Sequence, residues 1–449
     1  MKQVTVDFSK VTGKIKPMHA VNNGPTVSAR GGRGNMDLYE AAGIPCCRNH
    51  DASFAVRYGG SHGHDVLNIF PDFDADENDP TNYDFVLTDK SIREVYECGS
   101  TVLYRLGSKI EHEIKKYQTH PPKDYHKYAR ICEHIIRHYC YDWADGLKLP
   151  ISYWEIWNEA DNFHPDGTNP CWQGTHEEFL KFYEVMAKHL KACFPELKIG
   201  GPAYTGANAR WNYIEEFLSY AAQHKVPLDF FSWHGYRTDP MDYARAAERV
   251  KRLLVENGYS ETELILNEWN YVRGWTGENI RYSYKAISSE KGMAFDAASI
   301  LVTQKSPMDM FMYYDARPGT GFNGLFEPYT YDVPLKPYYA FWQFNKLYQL
   351  ENEVSSETDS DLIYVGAAVK GDKAAAQVVY YSEEDLDTET VAVTLRGLNS
   401  MVKITALLTD KDHENEKVRE CLCNGPETTL YFNLKLHSTM LLTIEPAEF

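Results

Sequence analysis

Long apolar segments are missing from this sequence. It contains no run of about twenty apolar residues, so no transmembrane helix and no membrane partner are expected. Its first ten residues, MKQVTVDFSK, lack the apolar core of a secretory signal. The nine cysteines are scattered without the spacing of a disulfide framework, which favours free thiols in a reducing compartment. We therefore expect a cytoplasmic protein.

Basic residues are clearly outnumbered by acidic residues. The chain has 46 lysine and arginine residues against 64 aspartate and glutamate residues, which gives a formal net charge of −18. Because an acidic surface repels phosphate backbones, nucleic acid is not expected as a partner. The first predicted strand is also not followed by the G-x-G-x-x-G turn that is typical of dinucleotide-binding folds.

Eight short apolar runs recur in the first 350 residues. They are Met18–Val21, Ile44–Cys47, Thr101–Leu106, Ile151–Trp157, Leu197–Gly200, Leu228–Trp233, Leu264–Asn267 and Met308–Tyr314. Amphipathic helical stretches separate several of them, most clearly Asp124–Tyr141, Glu177–Cys193 and Asp242–Asn257. Apolar strands that alternate with helices indicate a parallel sheet covered on both faces. Eight such units predict a (β/α)₈ barrel over residues 15–350, with Gly59–Tyr83 as a long loop after the second strand.

The pattern changes after about residue 350. The polar, acidic segment Glu351–Asp361 is predicted to be a linker. Beyond it, apolar and polar residues alternate, which is typical of half-buried antiparallel strands. The predicted strands are Leu362–Val369, Ala375–Tyr381, Thr390–Leu395, Val402–Leu408, Thr429–Leu436 and Thr439–Ile444. We predict a C-terminal antiparallel β-sandwich domain over residues 351–449, with residues 1–14 as a candidate further strand.

Two strand ends carry the same pair of residues. Residues 153–161 read YWEIWNEAD, and residues 264–270 read LILNEWN. The carboxyl ends of barrel strands meet at one mouth, where active sites of this fold lie. One Asn-Glu pair is common, but two at strand ends, each beside tryptophan, are not expected by chance. We therefore predict that Glu159 and Glu268 face each other.

Two carboxyl groups in one pocket are suited to the cleavage of a glycosidic bond. One protonates the leaving oxygen, and the other attacks the anomeric carbon or activates water. Close carboxylates raise each other's pKa, so one of them stays protonated near neutral pH. Because two carboxyl groups suffice for this chemistry, no cofactor and no metal are expected.

The WEIWNE segment resembles the acid/base motif of the clan A glycoside hydrolases, and LNEWN resembles their nucleophile strand. The chain is similar to glycoside hydrolase family 39, which contains β-xylosidases and α-L-iduronidases. The resemblance implies a retaining exo-glycosidase that acts on a small oligosaccharide or glycoside, most simply a β-xyloside. It also implies Glu159 as acid/base and Glu268 as nucleophile, with carboxyl groups about 5–5.5 Å apart.

The resemblance further implies a set of residues that bind the sugar at the cleaved bond. They are Asn158, His50, His234, Tyr236, Trp269, Tyr314 and Arg48, with Tyr313 as the alternative to Tyr314 at the floor of the sugar site. Two interpretations of Arg48 stay open: it lowers the pKa of the nucleophile, or it ties the barrel layers together by a salt bridge. We expect a low pKa for Glu268, supported by Arg48 and Tyr236, and a raised pKa for Glu159.

Three alternatives remain at this point. Another clan A specificity, such as α-L-arabinofuranosidase, would use the same two glutamates. An inverting mechanism would need carboxyl groups about 6.5–9.5 Å apart. A carbohydrate-binding protein on a degenerate barrel would belong to a different class, because fold alone does not imply catalysis. The resemblance also makes a homo-oligomer a candidate assembly.

Overall fold

A closed barrel of parallel strands holds the first part of the chain. The computed structural model describes residues 1–27, 34–51, 63–207, 210–398 and 401–447. Within these ranges the barrel has eight strands, in chain order: β2 (Ala20–Asn22), β3 (Cys46–Arg48), β4 (Thr101–Leu106), β5 (Tyr153–Ile156), β6 (Lys198–Tyr204), β7 (Phe230–Arg237), β8 (Glu263–Tyr271) and β9 (Met310–Tyr313). Each predicted apolar run overlaps one of these strands, so the (β/α)₈ prediction is confirmed.

Helices surround the barrel and follow most of its strands. They are α1 (Met36–Ala42), α2 (Val66–Ile69), α3 (Val86–Glu97), α4 (Tyr125–Tyr141), α5 (His176–Cys193), α6 (Trp211–His224), α7 (Met241–Glu256), α8 (Gly277–Ile287), α9 (Glu290–Gln304) and α10 (Tyr338–Tyr348). The Asp124 carboxylate accepts two backbone N–H groups at the start of α4, and Thr175 forms a capping box with Glu178 on α5. None of the described helices is long and apolar enough to cross a membrane.

The predicted loop after the second barrel strand contains short ordered elements. Of Gly59–Tyr83, residues 59–62 lie outside the described residues. The rest of the segment contains α2 and a 3₁₀ turn at Pro80–Asn82. The side chain of Asp79 accepts the backbone N–H of Thr81 and so caps that turn.

The inside of the barrel changes from apolar to polar along the strands. One apolar layer contains Phe230, Ile265 and Met312 with neighbouring residues of the other strands. Towards the carboxyl ends of the strands, fully buried polar and charged residues replace them. A second and larger apolar core lies outside the strands, between the barrel and its helices. The buried polar residues inside the barrel are therefore concentrated at the carboxyl end of the strands.

A second sheet combines the first strand with residues 352–446. Its strands are β1 (Lys2–Lys14), β10 (Asn352–Thr358), β11 (Ile363–Lys370), β12 (Lys373–Tyr380), β13 (Glu389–Arg396), β14 (Val402–Thr409), β15 (Glu416–Cys423), β16 (Glu427–Leu434) and β17 (Ser438–Pro446). Their order in the described part of the chain is β15-β14-β17-β12-β11-β10-β1-β13-β16. Strands from both ends of this order share one apolar core, so the sheet folds over on itself. The predicted C-terminal β domain is confirmed, with β1 and β13 as a parallel pair inside it.

Two strands of this sheet differ from the prediction. The predicted linker Glu351–Asp361 is wrong, because most of it is β10, whose Val354 and Ser356 are buried while its polar residues pair with β1. Strand β15 was not predicted. It lies at the edge of the sheet and is largely exposed, so it has no alternating apolar pattern to detect.

The outer face of the second sheet packs against the barrel helices. Ala368, Ala375 and Leu441 belong to the same apolar core as the barrel, and α9 and α10 are the helices that contact this face. Each of these strands therefore buries both of its faces, one in the sheet and one against the barrel. The domain boundary near residue 350 stays a prediction.

The sheet core generates a stability prediction. Leu442 is fully buried in it, whereas Leu422 on the edge strand β15 is 63% exposed. We expect Leu442→Ala to lower the free energy of unfolding by about 2–5 kcal/mol, and the matched Leu422→Ala to change it by less than about 0.5 kcal/mol. Urea denaturation followed by fluorescence measures both. Equal effects of the two substitutions would contradict the assignment of this core.

Candidate active site

One buried guanidinium lies at the centre of the polar end of the barrel. Arg48, at the end of β3, donates to Glu155 Oε2 at 2.7 Å and to Glu268 Oε1 at 2.8 Å. It also donates to Asn158 Oδ1 at 2.7 Å and to Asn22 Oδ1 at 3.2 Å. A buried charge is stable only when it is paired and hydrogen-bonded. Arg48 therefore joins four barrel strands and contacts the predicted nucleophile, so both interpretations of its role are compatible with its position.

Glu155 holds the guanidinium from the side opposite the mouth. It is fully buried inside the barrel. Its Oε1 accepts from Ser232 Oγ at 2.7 Å and from the side-chain amide of Asn267. These donors, with Arg48 on Oε2, compensate the burial of its charge. Glu155 thus fixes Arg48 in place without itself facing the mouth.

A bulge at the end of β8 turns Glu268 into the barrel. The pairing of β7 with β8 runs from Trp233 with Leu266 directly to His234 with Glu268, so Asn267 has no partner. Strict alternation from the inward-facing Ile265 would place Glu268 outside. The bulge shifts the period by one residue, so both Asn267 and Glu268 point inwards.

Glu268 is buried and accepts a hydrogen bond at each of its two oxygens. Besides Arg48 on Oε1, Tyr236 Oη donates to its Oε2 at 2.8 Å. Burial raises the pKa of Glu268 above its ordinary value, although His234 and Arg48 both act to lower that pKa. The expected low pKa is therefore wrong in direction, because the loss of hydration outweighs the effects of the Arg48 cation and of His234.

Glu159 stands on a sharp turn just after β5. The backbone is left-handed at Trp157 (φ 70°) and at Glu159 (φ 48°), a conformation that costs non-glycine residues about 1 kcal/mol or more. Surrounding contacts hold it: Trp157 Nε1 donates to the Cys171 carbonyl at 2.9 Å, and Glu159 N donates to the Ala203 carbonyl at 2.9 Å. The turn projects the Glu159 side chain towards the barrel axis.

The carboxyl of Glu159 lies in a less charged environment than that of Glu268. Its Oε1 lies 2.7 Å from His234 Nδ1, and its Oε2 accepts from Asn162 Nδ2 at 3.0 Å and from the Cys171 thiol at 3.7 Å. Burial raises the pKa of Glu159 to about 7, and Arg48 opposes that rise. The expected raised pKa agrees with this direction.

The two carboxyl groups lie close together. Each contributes an oxygen within 4.8 Å of the other and of a His234 nitrogen. His234 Nδ1 is 2.7 Å from Glu159 Oε1 and 3.3 Å from Glu268 Oε2. Burial lowers the pKa of His234 to about 4, so the ring is neutral near pH 7. A neutral imidazole thus stands between two carboxyl groups with unequal surroundings.

His50 faces Glu268 from the other side of the pocket. Its Nε2 lies 3.7 Å from Glu268 Oε1 and 3.8 Å from Asp51 Oδ1. Its Nδ1 accepts from Arg105 Nε at 3.1 Å. Burial holds the pKa of His50 well below its ordinary value, so this ring is neutral as well.

Aromatic side chains form one wall of the pocket beside Glu268. The rings of Tyr236 and Trp275 meet edge to face at 5.0 Å, and Tyr314 and Phe322 lie within 6.4 Å of Tyr236. Tyr314 is half-buried and donates to Asp51 Oδ2 at 2.7 Å. Tyr313, the alternative to Tyr314, is fully buried and bonded to the backbone of residues 322 and 324. Tyr314 is therefore the one of the two that reaches the pocket.

The comparisons with known proteins agree with this geometry. A profile of the glycosyl hydrolases family 39 matches residues 71–314, more than half of the 449-residue chain. The chain belongs to glycosyl hydrolase family 39. This membership makes it a glycoside hydrolase, as its sequence motifs predicted.

Individual relatives of this family 39 hydrolase are named for different substrates. A β-xylosidase of Caldicellulosiruptor saccharolyticus is 26% identical over 452 residues, which cover 92% of this chain and 86% of that protein. The solved structure of a glucosidase from Croceicoccus marinus has a TM-score of 0.79 at 21% identity, and both chains are covered completely. A monomeric β-xylosidase from Caulobacter crescentus CB15 has a TM-score of 0.72 at 16% identity, again over both whole chains. At these identities the two structures show the shared fold.

One predicted sugar contact of the family 39 hydrolase needs correction. Trp269 is fully buried outside the barrel, where its ring stacks on Phe311 at 4.2 Å and meets Tyr243 edge to face. The bulge that turns Glu268 inwards turns the next residue outwards, so Trp269 cannot contact a sugar. Trp275, which is 60% exposed beside Tyr236, is the tryptophan of this segment that reaches the mouth.

Several polar residues around the family 39 site were not singled out from the sequence. They are Asn22, Arg105, Glu155, Asn162, Cys171 and Asn267. Glu155 and Asn267 stand in the two quoted motifs, and a charged residue inside an apolar barrel strand is the signal that could have identified Glu155. Asn162 and Cys171 lie on a loop, where spacing gives no such signal.

Two groups of potential metal ligands occur among the described residues of this hydrolase. One is the pocket trio Glu159, His234 and Glu268, and the other is Glu133, His189 and Cys193 on α4 and α5. In the second group Glu133 is already bonded to Arg137 at 2.7 Å and to His189 at 2.8 Å. The expectation that catalysis needs no metal stays a prediction.

The two tryptophans after Glu268 generate a matched prediction. We expect Trp269→Ala to lower the free energy of unfolding of the family 39 hydrolase by about 3–5 kcal/mol, because it empties a packed core site. Trp275→Ala removes an exposed ring and should cost less than about 1 kcal/mol. Urea denaturation of both variants is the measurement. A larger loss for Trp275→Ala would reverse the assignment of the two rings.

Proposed function

We propose that the chain is a retaining β-xylosidase in which Glu159 is the general acid/base and Glu268 is the nucleophile. The observation that carries the proposal is the close approach of the two carboxyl groups, whose nearest oxygens lie within 4.8 Å. Retaining enzymes place their carboxyl groups about 5–5.5 Å apart, and inverting enzymes leave about 6.5–9.5 Å for a water. The spacing therefore favours double displacement over single displacement.

The surroundings of the two groups support the division of roles. Glu268 accepts from Arg48 and Tyr236, which favour its ionised form as an attacking group. Glu159 has a pKa raised by burial to about 7, so it can hold a proton at weakly acidic pH. The pKa of His234, lowered to about 4, lies below that of Glu159, so the shared proton stays on the carboxyl group.

The reaction proceeds in two steps. Glu268 attacks the anomeric carbon, the bond to the leaving oxygen breaks, and Glu159 gives its proton to that oxygen. In the second step Glu159 takes a proton from water, the water oxygen attacks the anomeric carbon, and the bond to Glu268 breaks. Each step inverts the anomeric carbon, so the sugar is released with its original configuration.

Polar groups around the pocket fit the role of sugar ligands. Arg48 holds Asn158 Oδ1, which leaves the amide NH₂ of Asn158 as a donor for a sugar hydroxyl. His50, His234, Tyr236 and Tyr314 surround the same space. Hydrogen bonds to the sugar 2-hydroxyl strengthen in the transition state and add several kcal/mol, which is the role we assign to Asn158.

The choice of β-xyloside rests on the relatives. The curated β-xylosidase that covers 92% of this chain supports it. A comparison of aryl β-D-xyloside, aryl β-D-glucoside and aryl α-L-arabinofuranoside tests it directly, with kcat/KM as the measure. Preference for the arabinofuranoside would establish the alternative specificity, and no hydrolysis of any glycoside would favour a binding protein.

We propose that the protein acts in the cytoplasm. All nine cysteines are free thiols in the structure. Free thiols in this number suit a reducing environment.

Azide rescue distinguishes the role of Glu159 from that of Glu268. We expect Glu268→Ala to be nearly inactive on every substrate, because no glycosyl-enzyme forms without the nucleophile. Glu159→Ala should still react with an activated aryl β-xyloside and then stall. Azide should restore its turnover and give the β-azide, whereas azide with Glu268→Ala should give the α-azide. NMR of the products reads the anomer.

The azide experiment has a matched control and two opposing outcomes. Glu177→Ala removes an exposed carboxylate paired with Lys181 on α5 and should leave activity unchanged. Azide products with the anomers exchanged would reverse the roles of Glu159 and Glu268. A loss of less than about a hundredfold in both variants would reject the two-carboxylate mechanism.

The rate should be bell-shaped in pH. Activity requires ionised Glu268, so kcat/KM falls as pH drops through a pKa that lies above the ordinary glutamate value. It also requires protonated Glu159, so kcat/KM falls as pH rises through about 7. Asn162→Ala removes a hydrogen bond that lowers the pKa of Glu159, and should move only the alkaline limb, to higher pH. Movement of the acidic limb alone would mean that Glu268 is not the group that must be ionised.

A further inference from the structure

A second buried arginine lies behind the pocket, away from the two glutamates. Arg105, on β4, is fully buried inside the barrel. Its guanidinium donates to Asp65 Oδ1 at 2.6 Å and to the His50 carbonyl at 2.9 Å. Its backbone N–H donates to Asn49 Oδ1 at 3.0 Å. These contacts hold Nη2 and the backbone of Arg105 in place, and the Nε–H of the same guanidinium points at the ring of His50.

This contact decides which nitrogen of His50 carries the proton. Arg105 Nε donates to His50 Nδ1 at 3.1 Å. A guanidinium offers only N–H donors and keeps its charge in proteins, so the Nδ1 that faces it must present a lone pair. A neutral imidazole then carries its hydrogen on Nε2. That nitrogen lies 3.7 Å from Glu268 Oε1, on the pocket side of the ring.

We propose that Arg105 is a positioning residue that holds His50 in its Nε2–H form, as a fixed donor to a ring hydroxyl of the bound glycoside. The proposal rests on the proposed function, because it places the sugar beside Glu268. The opposite tautomer would direct a lone pair at Glu268 Oε1 and would require the hydroxyl to donate instead of accept. By excluding that tautomer, Arg105 makes this position of the pocket selective for a hydrogen-bond acceptor.

Nitrogen NMR of the ligand-free protein tests the tautomer directly. With ¹⁵N-labelled histidine, the resonances of His50 are assigned among the 16 histidines by their loss in His50→Gln. We expect a protonated Nε2 and an unprotonated Nδ1 near pH 7. Arg105→Gln should give a mixture of tautomers, because a glutamine amide can donate or accept. Arg105→Lys should restore the Nε2–H form, because an ammonium only donates.

Asp65→Asn is the matched control, because it removes the charge of the residue that pairs with Arg105. It changes one partner of Arg105 Nη2 but leaves the Nε–H contact with His50 Nδ1, so the tautomer should not change. Removal of Arg105 alone leaves the Asp65 carboxyl buried without its cation, which can prevent folding. The double variant Arg105→Gln with Asp65→Asn removes both charges. It should give the same mixture of tautomers as Arg105→Gln.

A double-mutant cycle then connects the tautomer to catalysis. We expect Arg105→Gln to lower kcat/KM on an aryl β-xyloside by about tenfold, the size of one lost neutral hydrogen bond. In a His50→Ala background the same substitution should have almost no further effect, because Arg105 acts through His50. A full additional loss in that background would overturn the proposal, as would an Nδ1–H resonance in the unmodified protein. The NMR reading is independent of the roles of Glu159 and Glu268, so a failure of the proposed function is seen separately in the azide experiment.

Discussion

The ion pair cluster around Arg48 is the constraint on which the rest of the site depends. One guanidinium inside the barrel satisfies Glu155 below it and Glu268 above it, and it holds the amide of Asn158 as well. Loss of either partner would leave an uncompensated buried charge, which costs several kcal/mol. The same cation that ties the strands together therefore also supports an ionised carboxylate at the mouth, and structural and chemical roles cannot be separated at this residue.

Burial also changes the pKa of both glutamates. Both glutamates lose hydration, which raises the pKa of each, but only Glu268 gains a direct contact with a cation. The difference between two carboxyl groups of the same type is thus produced by their neighbours. Neutral His234 lies between the two carboxyl groups. Because its pKa is about 4, it does not take the proton from Glu159. This arrangement is what a double displacement needs, since one group must be ionised while the other is protonated.

The sequence predicted the fold well because apolar runs at strand spacing depend on local composition. It also predicted that Glu159 and Glu268 lie close together, since strand ends of a barrel converge. It failed for Trp269, because the bulge at Asn267 exchanges the inward and outward faces of the strand and turns Trp269 away from the pocket. It failed again at Glu351–Asp361, where a polar segment becomes a strand because β1 offers it a partner. Such pairings join residues far apart in the chain and leave no local pattern.

The position of β1 has a consequence for the order of folding. This strand precedes the whole barrel in the chain, yet it lies between β10 and β13, which follow the barrel. During synthesis it emerges before the barrel and stays unpaired until residues 352–396, which contain β10 and β13, have been made. Its contacts are among the most non-local in the molecule, and non-local pairing is slow. The exposed edge of this early strand is therefore where a stalled or truncated nascent chain is most open to wrong partners.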